Sequence, residues 1–575
     1  MDTMDVEDIP QTTRLTNDQV ENSAGGFVYA IDNMQRLRRF LCLGSEGGTY
    51  YIGEKELGIE NAKAVLELIK AGRGEEVVAE VKKFSLEGRT SKQNPIMFVL
   101  ALCAKSDHLP TKQAAYKALA DVCRIPTHLF MFLKYAHALG QGWGRAQRNA
   151  VSAWYTTQNP SKLAMAITKY QNREGYTHRD VLRLSHPKTT NPLLRFLFVY
   201  ITKGFEKAIE SLQTAPTTAE TTTDTTIDSN ADTSTHTSKQ NDDGMEEEIN
   251  EKITTTAELQ AFLAAVEEAK KSTNEQELIE SIKKFHLVRE HMPTTVLNSV
   301  GIWTALLEKM PMTAMIRNLG KMSEIHLLTE NSDAEKQIVQ RLNDQQQLRR
   351  ARIHPFNLLV ALETYKRGKG VKGKLTWTVN EKVKQALESA FYLSFKFVEK
   401  TNKRFCLGLD VSGSMSGAQI LGSPTIDAAV GSCAMCMVTV RTEPYTKVVA
   451  FSHELVPVTI TKDQTLEKVM DITRAIPMGG TDCALPMIWA LDHKEDIDVF
   501  IIYTDSETWF GGIHPTEALK KYRTKMNKPE AKLIVCGMTA TQFSIADPND
   551  GGMLDIAGFD SAAPQIISQF ALGLI

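Results

Sequence analysis

The stretch Arg404-Phe405-Cys406-Leu407-Gly408-Leu409-Asp410-Val411-Ser412-Gly413-Ser414 constrains what this chain can fold into more than any other. A continuous apolar run ends in an acid and two hydroxyls at alternate positions, and after a few small residues the apolar segment Ile426 to Val440 follows. That is the pattern of a buried parallel strand, a tight turn and a helix. In an open parallel sheet, ligand groups collect at the carboxyl ends of strands. Asp410, Ser412 and Ser414 place one carboxylate and two hydroxyls there. Such hard oxygen donors suit Mg²⁺, which keeps several waters and takes few protein ligands.

Two downstream pieces fit the same site. Met478-Gly479-Gly480-Thr481-Asp482 is a glycine-rich loop presenting a hydroxyl, and Asp498 to Asp505 reads as a second buried strand ending in a carboxylate. The order Asp410, Ser412, Ser414, Thr481, Asp505 resembles the metal-ion-dependent adhesion site of von Willebrand factor A domains, with all five positions matched over roughly the last third of the chain. The resemblance implies a divalent metal, Mg²⁺, as cofactor and a doubly wound α/β domain. The bland alternative is an ordinary strand-end turn without metal. Enzyme readings fare worse. A haloacid dehalogenase-type phosphotransferase would need an aspartate in place of Ser412, and a G-x-S-x-G elbow would need serine in place of Met415. His453 and His514 read as surface or satisfied histidines, and no nucleophile is assembled with a base.

At 575 residues the chain exceeds one core, so two or three domains are expected. Charge is unevenly spread. The segment Gln213 to Glu251 holds ten acids against Lys239, a net −9, which leaves about +6 on the rest of a chain whose total is −3. Its Thr-rich run, Pro216 to Thr223, is too polar to bury anything, so 214–256 is expected to be a disordered acidic insertion. Eight cysteines argue for a reducing compartment, and Cys433 and Cys436 read as core residues on one helix face rather than a redox pair. Residues 1–24 read as a disordered acidic N-terminus without the features of a signal peptide, and no stretch has the length of a membrane span. A soluble, monomeric, intracellular protein is expected, cytoplasmic with the nucleus as a second location.

The region 25–400 reads as helical. Asn61 to Lys70, Glu75 to Phe84, Pro95 to Ala104, Lys112 to Asp121, His128 to Ala138, Ala146 to Tyr155 and Pro160 to Tyr170 carry apolar residues at three and four spacing. Pro126, Pro160 and Pro311 read as helix-start prolines, with Gly320 closing a helix Met312 to Leu319. Paired amphipathic helices without a clean period suggest an α-solenoid. Between Lys134 and Lys188 stand nine basic residues, among them Arg145, Arg148, Lys169, Arg173, Arg179, Arg183 and Lys188, against Glu174 and Asp180. His186 and the aromatic residues Trp143, Trp154, Tyr155, Tyr170 and Tyr176 are interleaved. Cations for phosphates and π faces for splayed bases are what single-stranded or looped RNA requires. Solvated helix faces over core aromatics are the alternative.

The strings Gly140-Gln141-Gly142-Trp143-Gly144-Arg145, Arg317-Asn318-Leu319-Gly320-Lys321-Met322, Ala351-Arg352-Ile353-His354-Pro355-Phe356 and Thr481 to Trp489 are similar to the Ro autoantigen family, the SS-A/Ro ribonucleoproteins. The similarity runs from about Gly25 to Ile575. It implies a HEAT-like helical-repeat ring, the TROVE domain, followed by a von Willebrand A-type domain at 401–575. It also implies a non-enzymatic RNA quality-control or stability factor. Small noncoding Y RNAs would bind the outer surface and single-stranded 3′ ends of misfolded noncoding RNAs would enter the ring. By the same resemblance Lys169, Arg173, Arg179, Arg183, His186 and Lys188 fall on the RNA surface, His186 being equally suited to a structural cap. The metal site would dock a carboxylate of a protein partner. The rival reading is a repeat scaffold for protein ligands, with the A domain carrying the adhesion.

Overall fold

A computed structural model describes residues 8–213, 253–395 and 400–575. The acidic insertion expected at 214–256 lies outside the described residues except at its end, where Thr255 caps the helix Thr256–Ala269 in a box with Glu258.

Helices dominate up to Leu393. Their starts follow the chain's prolines and caps. Pro126 and Pro160 open Pro126–Ala138 and Pro160–Lys169, the latter with Asn159 accepting from Ser161 and Lys162 N–H. Pro192–Lys203 starts the same way behind Asn191. Successive helices stack in staggered pairs, Gly74–Leu86 on Leu109–Val122, Asn94–Lys105 on Pro126–Ala138, and Leu109–Val122 on Arg145–Thr156. One expected helix end is corrected. Met312–Glu324 runs straight through Gly320, where a Cβ would meet the indole of Trp377 at 2.8 Å. The glycine there makes room for a packed ring rather than ending the helix.

The helical array closes on itself. His354, the N-cap of Pro355–Lys366, places Nε2 3.3 Å from Arg89 O, and Asn357 Nδ2 donates to Ser91 O at 3.5 Å. Four histidines, His128, which is half-buried, and His178, His291 and His354, which are buried, support this body in neutral form. Burial lowers their pKa to about 3 for the first three and about 4 for His354. Unfolded, they would bind protons near the ordinary pKa of about 6.5. Their contribution is therefore complete above pH ~6.5 and is lost as pH falls toward 4. Each is expected to remove about 1.4 kcal/mol of stability per pH unit in that window. Chemical denaturation between pH 7 and 5 checks this, with His354→Asn, which keeps a capping acceptor, flattening the slope.

The C-terminal domain is built on β5 (Arg404–Asp410), β6 (Tyr445–Phe451), β7 (Leu455–Val458), β8 (Val499–Thr504), β9 (Lys532–Gly537) and β11 (Met553–Ala557). The order is β11-β9-β8-β5-β6-β7, parallel throughout except for β7 at the edge. Both faces are apolar and alternate strictly. Leu407, Leu409, Ile501, Tyr503, Ile534 and Cys536 enter one core, whereas Cys406, Phe500, Ile502, Leu533 and Val535 enter the other. The first of these cores is continuous with that of the helices. Cys433 and Cys436 lie buried within it as free thiols.

Contrary to the expected disorder of residues 1–24, the described residues from Asp8 onward are built into the A-type domain. β1 (Gln19–Glu21) pairs with β2 (Phe27–Ala30), which pairs in turn with β10 (Phe543–Ser544). Gln11 donates to Asp482 Oδ1 at 2.7 Å and Ile513 O at 2.9 Å, and His514 Nε2 meets Thr13 O at 2.8 Å. Polar composition suggested a solvated tail, yet these side chains are spent on fixed partners about 500 residues away in sequence. Residues 1–7 lie outside the described residues.

Candidate metal centre and nucleic-acid face

β5 and β8 are adjacent parallel strands, so Asp410 and Asp505 leave neighbouring carboxyl ends. The turn after β5 is fixed by Ser412 N–H donating to Asp410 Oδ1 at 2.9 Å, with the Ser412 and Ser414 hydroxyls 3.2 Å apart. The Ser414 hydroxyl acts on Asp505, partly offsetting the rise that burial imposes on its carboxyl. The glycine-rich loop joins this edge because Thr481 O accepts from Trp509 N–H at 3.0 Å and Phe510 N–H at 3.1 Å. A Cβ on Gly479 would strike His453, and one on Gly480 would strike the Phe510 ring at 2.9 Å, so the loop can lie this close only without side chains. All five sequence-selected residues are buried.

Their electrostatics fit a cation. Burial and then the negative charge of Asp505 push the Asp410 carboxyl up to about 7, and burial raises Asp505 as well. Two buried carboxylates side by side are costly unless protonated or neutralised by a cation. Among the described residues no three His, Cys, Asp or Glu side chains gather into a metal-holding group. The donor set is two carboxylates and three hydroxyls, which suits Mg²⁺ with retained waters.

Sequence reading missed three residues here. Thr504 donates to Asp410 Oδ2 at 2.6 Å and so fixes the carboxylate's orientation. Glu507, buried, is pushed up to about 8 by burial and Asp505, with Ala24 N–H donating to its Oε2 at 3.2 Å. Tyr51, 38% exposed overall, has its phenol pushed up to about 12 by partial burial first and then by the negative charges of Asp505 and Glu507. Alternation past the strand end, Asp505-x-Glu507, is the signal that could have found Glu507. Nothing local marks Tyr51.

The basic segment is shaped by a two-residue hairpin. β3 (Asn172–Arg173) and β4 (Tyr176–Thr177) are joined through Glu174 and Gly175, both in the left-handed region at φ 55° and 83°. Lys169 Nζ stands 5.2 Å and Arg173 Cζ 6.0 Å from the Tyr170 ring. The helix His178–Ser185 begins in a capping box between Thr177 and Asp180 and carries Arg179 and Arg183 one turn apart, both exposed. Arg145, Arg148 and Lys188 are also exposed. His186 is the left-handed C-cap of that helix, its N–H donating to Leu182 O, with its side chain exposed, so it meets the structural role and keeps a surface position.

The aromatics divide differently from expectation. Trp154 and Tyr155 are buried, Trp154 Nε1 donating to Cys123 O at 2.5 Å and Tyr155 Oη lying 2.8 Å from His178 Nδ1. Their spacing on Arg145–Thr156 turns them into the core, so they offer no stacking surface. Trp143, Tyr170 and Tyr176 remain partly accessible.

A TROVE domain family model matches residues 20–364, and a Ro60 vWA domain model matches residues 404–571. The chain is 40% identical to the RNA-binding protein RO60 of Caenorhabditis elegans, over 98% of this chain and 92% of that protein. It is 37% identical to the RNA-binding protein RO60 of Deinococcus radiodurans, over 98% of this chain and 97% of that one. The crystal structure of the Deinococcus radiodurans RO (RSR) protein matches the fold with a TM-score of 0.66 at 34% identity, covering 95% of this chain and 100% of that chain.

Proposed function

This chain belongs to the Ro60 family, a TROVE domain followed by a Ro60 vWA domain, and from that premise we propose that it binds RNA through the basic segment 145–188. The observation that carries the reading is the fate of the segment's two acids. Glu174 is paired with Lys134 at 2.6 Å, and Asp180 is held in the capping box with Thr177. Both negative charges are spent on local structure, and Arg173, Arg179, Arg183 and Lys188 face solvent, Arg173 with its Cζ 6.0 Å from the Tyr170 ring. Cations spaced along an exposed face neutralise phosphates, and a partly accessible ring stacks on an unpaired base.

The finer reading rests on the resemblance to the Ro family, and the closed helical array supports it. Small noncoding Y RNA occupies the outer basic face, and single-stranded 3′ ends of misfolded noncoding RNA enter the ring. The protein acts by binding rather than catalysis, in RNA quality control and stability. The A-type domain holds Mg²⁺ through Asp410, Ser412, Ser414, Thr481 and Asp505; when bound, the ion neutralises the two buried carboxylates and offers a position to an oxygen ligand.

The experiment is binding of a structured RNA with a single-stranded 3′ tail against its blunt counterpart, titrated across salt. Tail-dependent affinity is expected to fall roughly a thousandfold between 50 and 200 mM salt if about six phosphates are contacted. Lys169→Ala/Arg173→Ala is expected to weaken binding about tenfold or more and to lower the salt slope by about two. Equal, feeble, salt-insensitive binding of both RNAs would sink the reading.

One observation favours a second role, protein docking at the metal centre. Tyr50, Met478 and Phe510 are 60%, 58% and 50% exposed around that edge, and the Tyr50 ring lies against Gly417. Apolar groups ringing a cation site are a surface for a carboxylate-bearing protein partner.

A further inference from the structure

A cavity of about 110 Å³ opens among the helices Pro160–Lys169, Glu275–Phe285, Val300–Glu308 and Met312–Glu324. Its floor is apolar and nearly closed to solvent: Met165, Ile282, Leu287, Leu306 and Met310 are each 9% exposed or less. Its rim is cationic. Lys169, Lys283, Arg289 and Lys309 line the mouth; Lys283 is paired with Glu308 at 3.2 Å, and with Glu290 counted as well the rim stands at net +2. Asn318 also lines it, and its Nδ2 donates to Ala314 O at 2.8 Å, which fixes the amide and leaves its carbonyl oxygen as an acceptor.

We propose that this cavity binds one unstacked nucleotide unit, a planar ring carrying a phosphate, supplied either as a free mononucleotide or by a bound RNA strand. Each half of the cavity matches one half of that ligand. The floor takes a flat, poorly hydrated ring, and the thioethers of Met165 and Met310 make favourable sulfur–aromatic contacts with it. Asn318 Oδ1 accepts from an exocyclic amino group or ring N–H, and the rim cations take the phosphate. An aliphatic carboxylate would use floor and rim but would leave Asn318 without a role. Lys169 belongs to both the cavity rim and the basic segment, so a strand held on that segment runs up to the cavity mouth. The proposal deepens the RNA-binding reading for its strand form, whereas its mononucleotide form stands independently. It also divides the string Arg317-Asn318-Leu319-Gly320 into parts, Gly320 packing on Trp377 and Asn318 facing the cavity.

The test uses the full chain with ¹³C-methyl methionine, the Met165 and Met310 signals being assigned through Met165→Leu and Met310→Leu. AMP, UMP, ribose 5-phosphate and a six-residue uridine oligonucleotide are titrated separately, with RNA retention measured in parallel. AMP or UMP is expected to shift both methyl signals saturably, and ribose 5-phosphate is expected to leave them in place. Ala314→Phe, which projects a ring into the cavity, is expected to weaken the response about tenfold, in line with the value of one base-stacking contact. Lys309→Glu, at an exposed position, is expected to weaken AMP and spare adenosine. Silent methyls with every base-bearing ligand, equal shifts with ribose 5-phosphate, or undiminished affinity in both variants would overturn the proposal. RNA retained with silent methyls overturns the cavity alone. Shifts by AMP in a protein that retains no RNA uphold the cavity and overturn the RNA reading.

Discussion

Arg89→Ala is expected to cost about 3–5 kcal/mol, the loss typical of one member of a buried ion pair. Arg89 sits where the helical array closes and where the A-type domain packs on the closure. Its guanidinium grips Asp560 through Nε at 3.0 Å and also through Nη2, and stacks over the Phe84 ring at 4.1 Å. Its carbonyl receives His354 of the far end of the array. The apolar side of the same junction is Phe356 against Phe559, edge to face at 5.3 Å. Removing Arg89 strands the Asp560 carboxylate in that setting, with the Ala562 N–H at 2.9 Å its one remaining hydrogen bond among the described residues. The energy lost is chiefly the penalty of the uncompensated charge, not the worth of the pair. A second substitution therefore discriminates: Arg89→Met/Asp560→Leu should recover most of the loss, as no charge is then buried alone. Arg39 and Asp555 form an equivalent pair, with Arg39 also donating to Phe543 O at 3.0 Å. Denaturant unfolding of the wild type and these two variants decides it. A loss below about 1 kcal/mol for Arg89→Ala, or no recovery in the double variant, would show that the closure does not depend on this charge.

These arginines also mark where sequence legibility ended. The strands of the A-type domain were readable because both faces of a parallel sheet are buried, so each strand is an unbroken apolar run ending at a polar turn. The five oxygen-bearing residues were readable because strand ends converge. The helix starts at Pro126 and Pro160 were readable from local backbone restriction. Arg39 and Arg89, by contrast, are ordinary surface-type residues in sequence. Only partners 516 and 471 positions away turn them into buried ions. The same non-locality hid the docking of residues from Asp8 onward on the A-type domain, since a polar strand that finishes another domain's sheet looks like a solvated tail. Trp154 and Tyr155 misled because aromatic–basic interleaving does not say which face of a helix is inward. The cavity beside Lys169 could not be read at all, because its floor residues are ordinary core residues of four helices.

Mg²⁺ is expected to stabilise the protein through Asp410 and Asp505, and the substitution that removes its ligand is expected to stabilise the metal-free protein. At one hundred times its dissociation constant, a ligand bound only by the folded state adds about 2.7 kcal/mol, a rise of roughly 5 to 10 °C in the melting temperature for a domain of this size. Without metal, the two carboxylates oppose one another in a buried site, and Asp410 is raised by burial and by the charge of Asp505. Asp505→Asn removes one of those charges, keeps the oxygen that accepts from Glu507 N–H at 3.1 Å, and so relieves the repulsion. The metal-free variant should then melt at or above the metal-free wild type while losing the response to Mg²⁺. A residue that served only to hold the turn would do the opposite, lowering the melting temperature with and without the ion. Thermal unfolding of both proteins with Mg²⁺ and with chelator separates the two cases. An equal rise in both, or a variant several degrees less stable under chelator, would assign these carboxylates to the turn and leave the metal without its site.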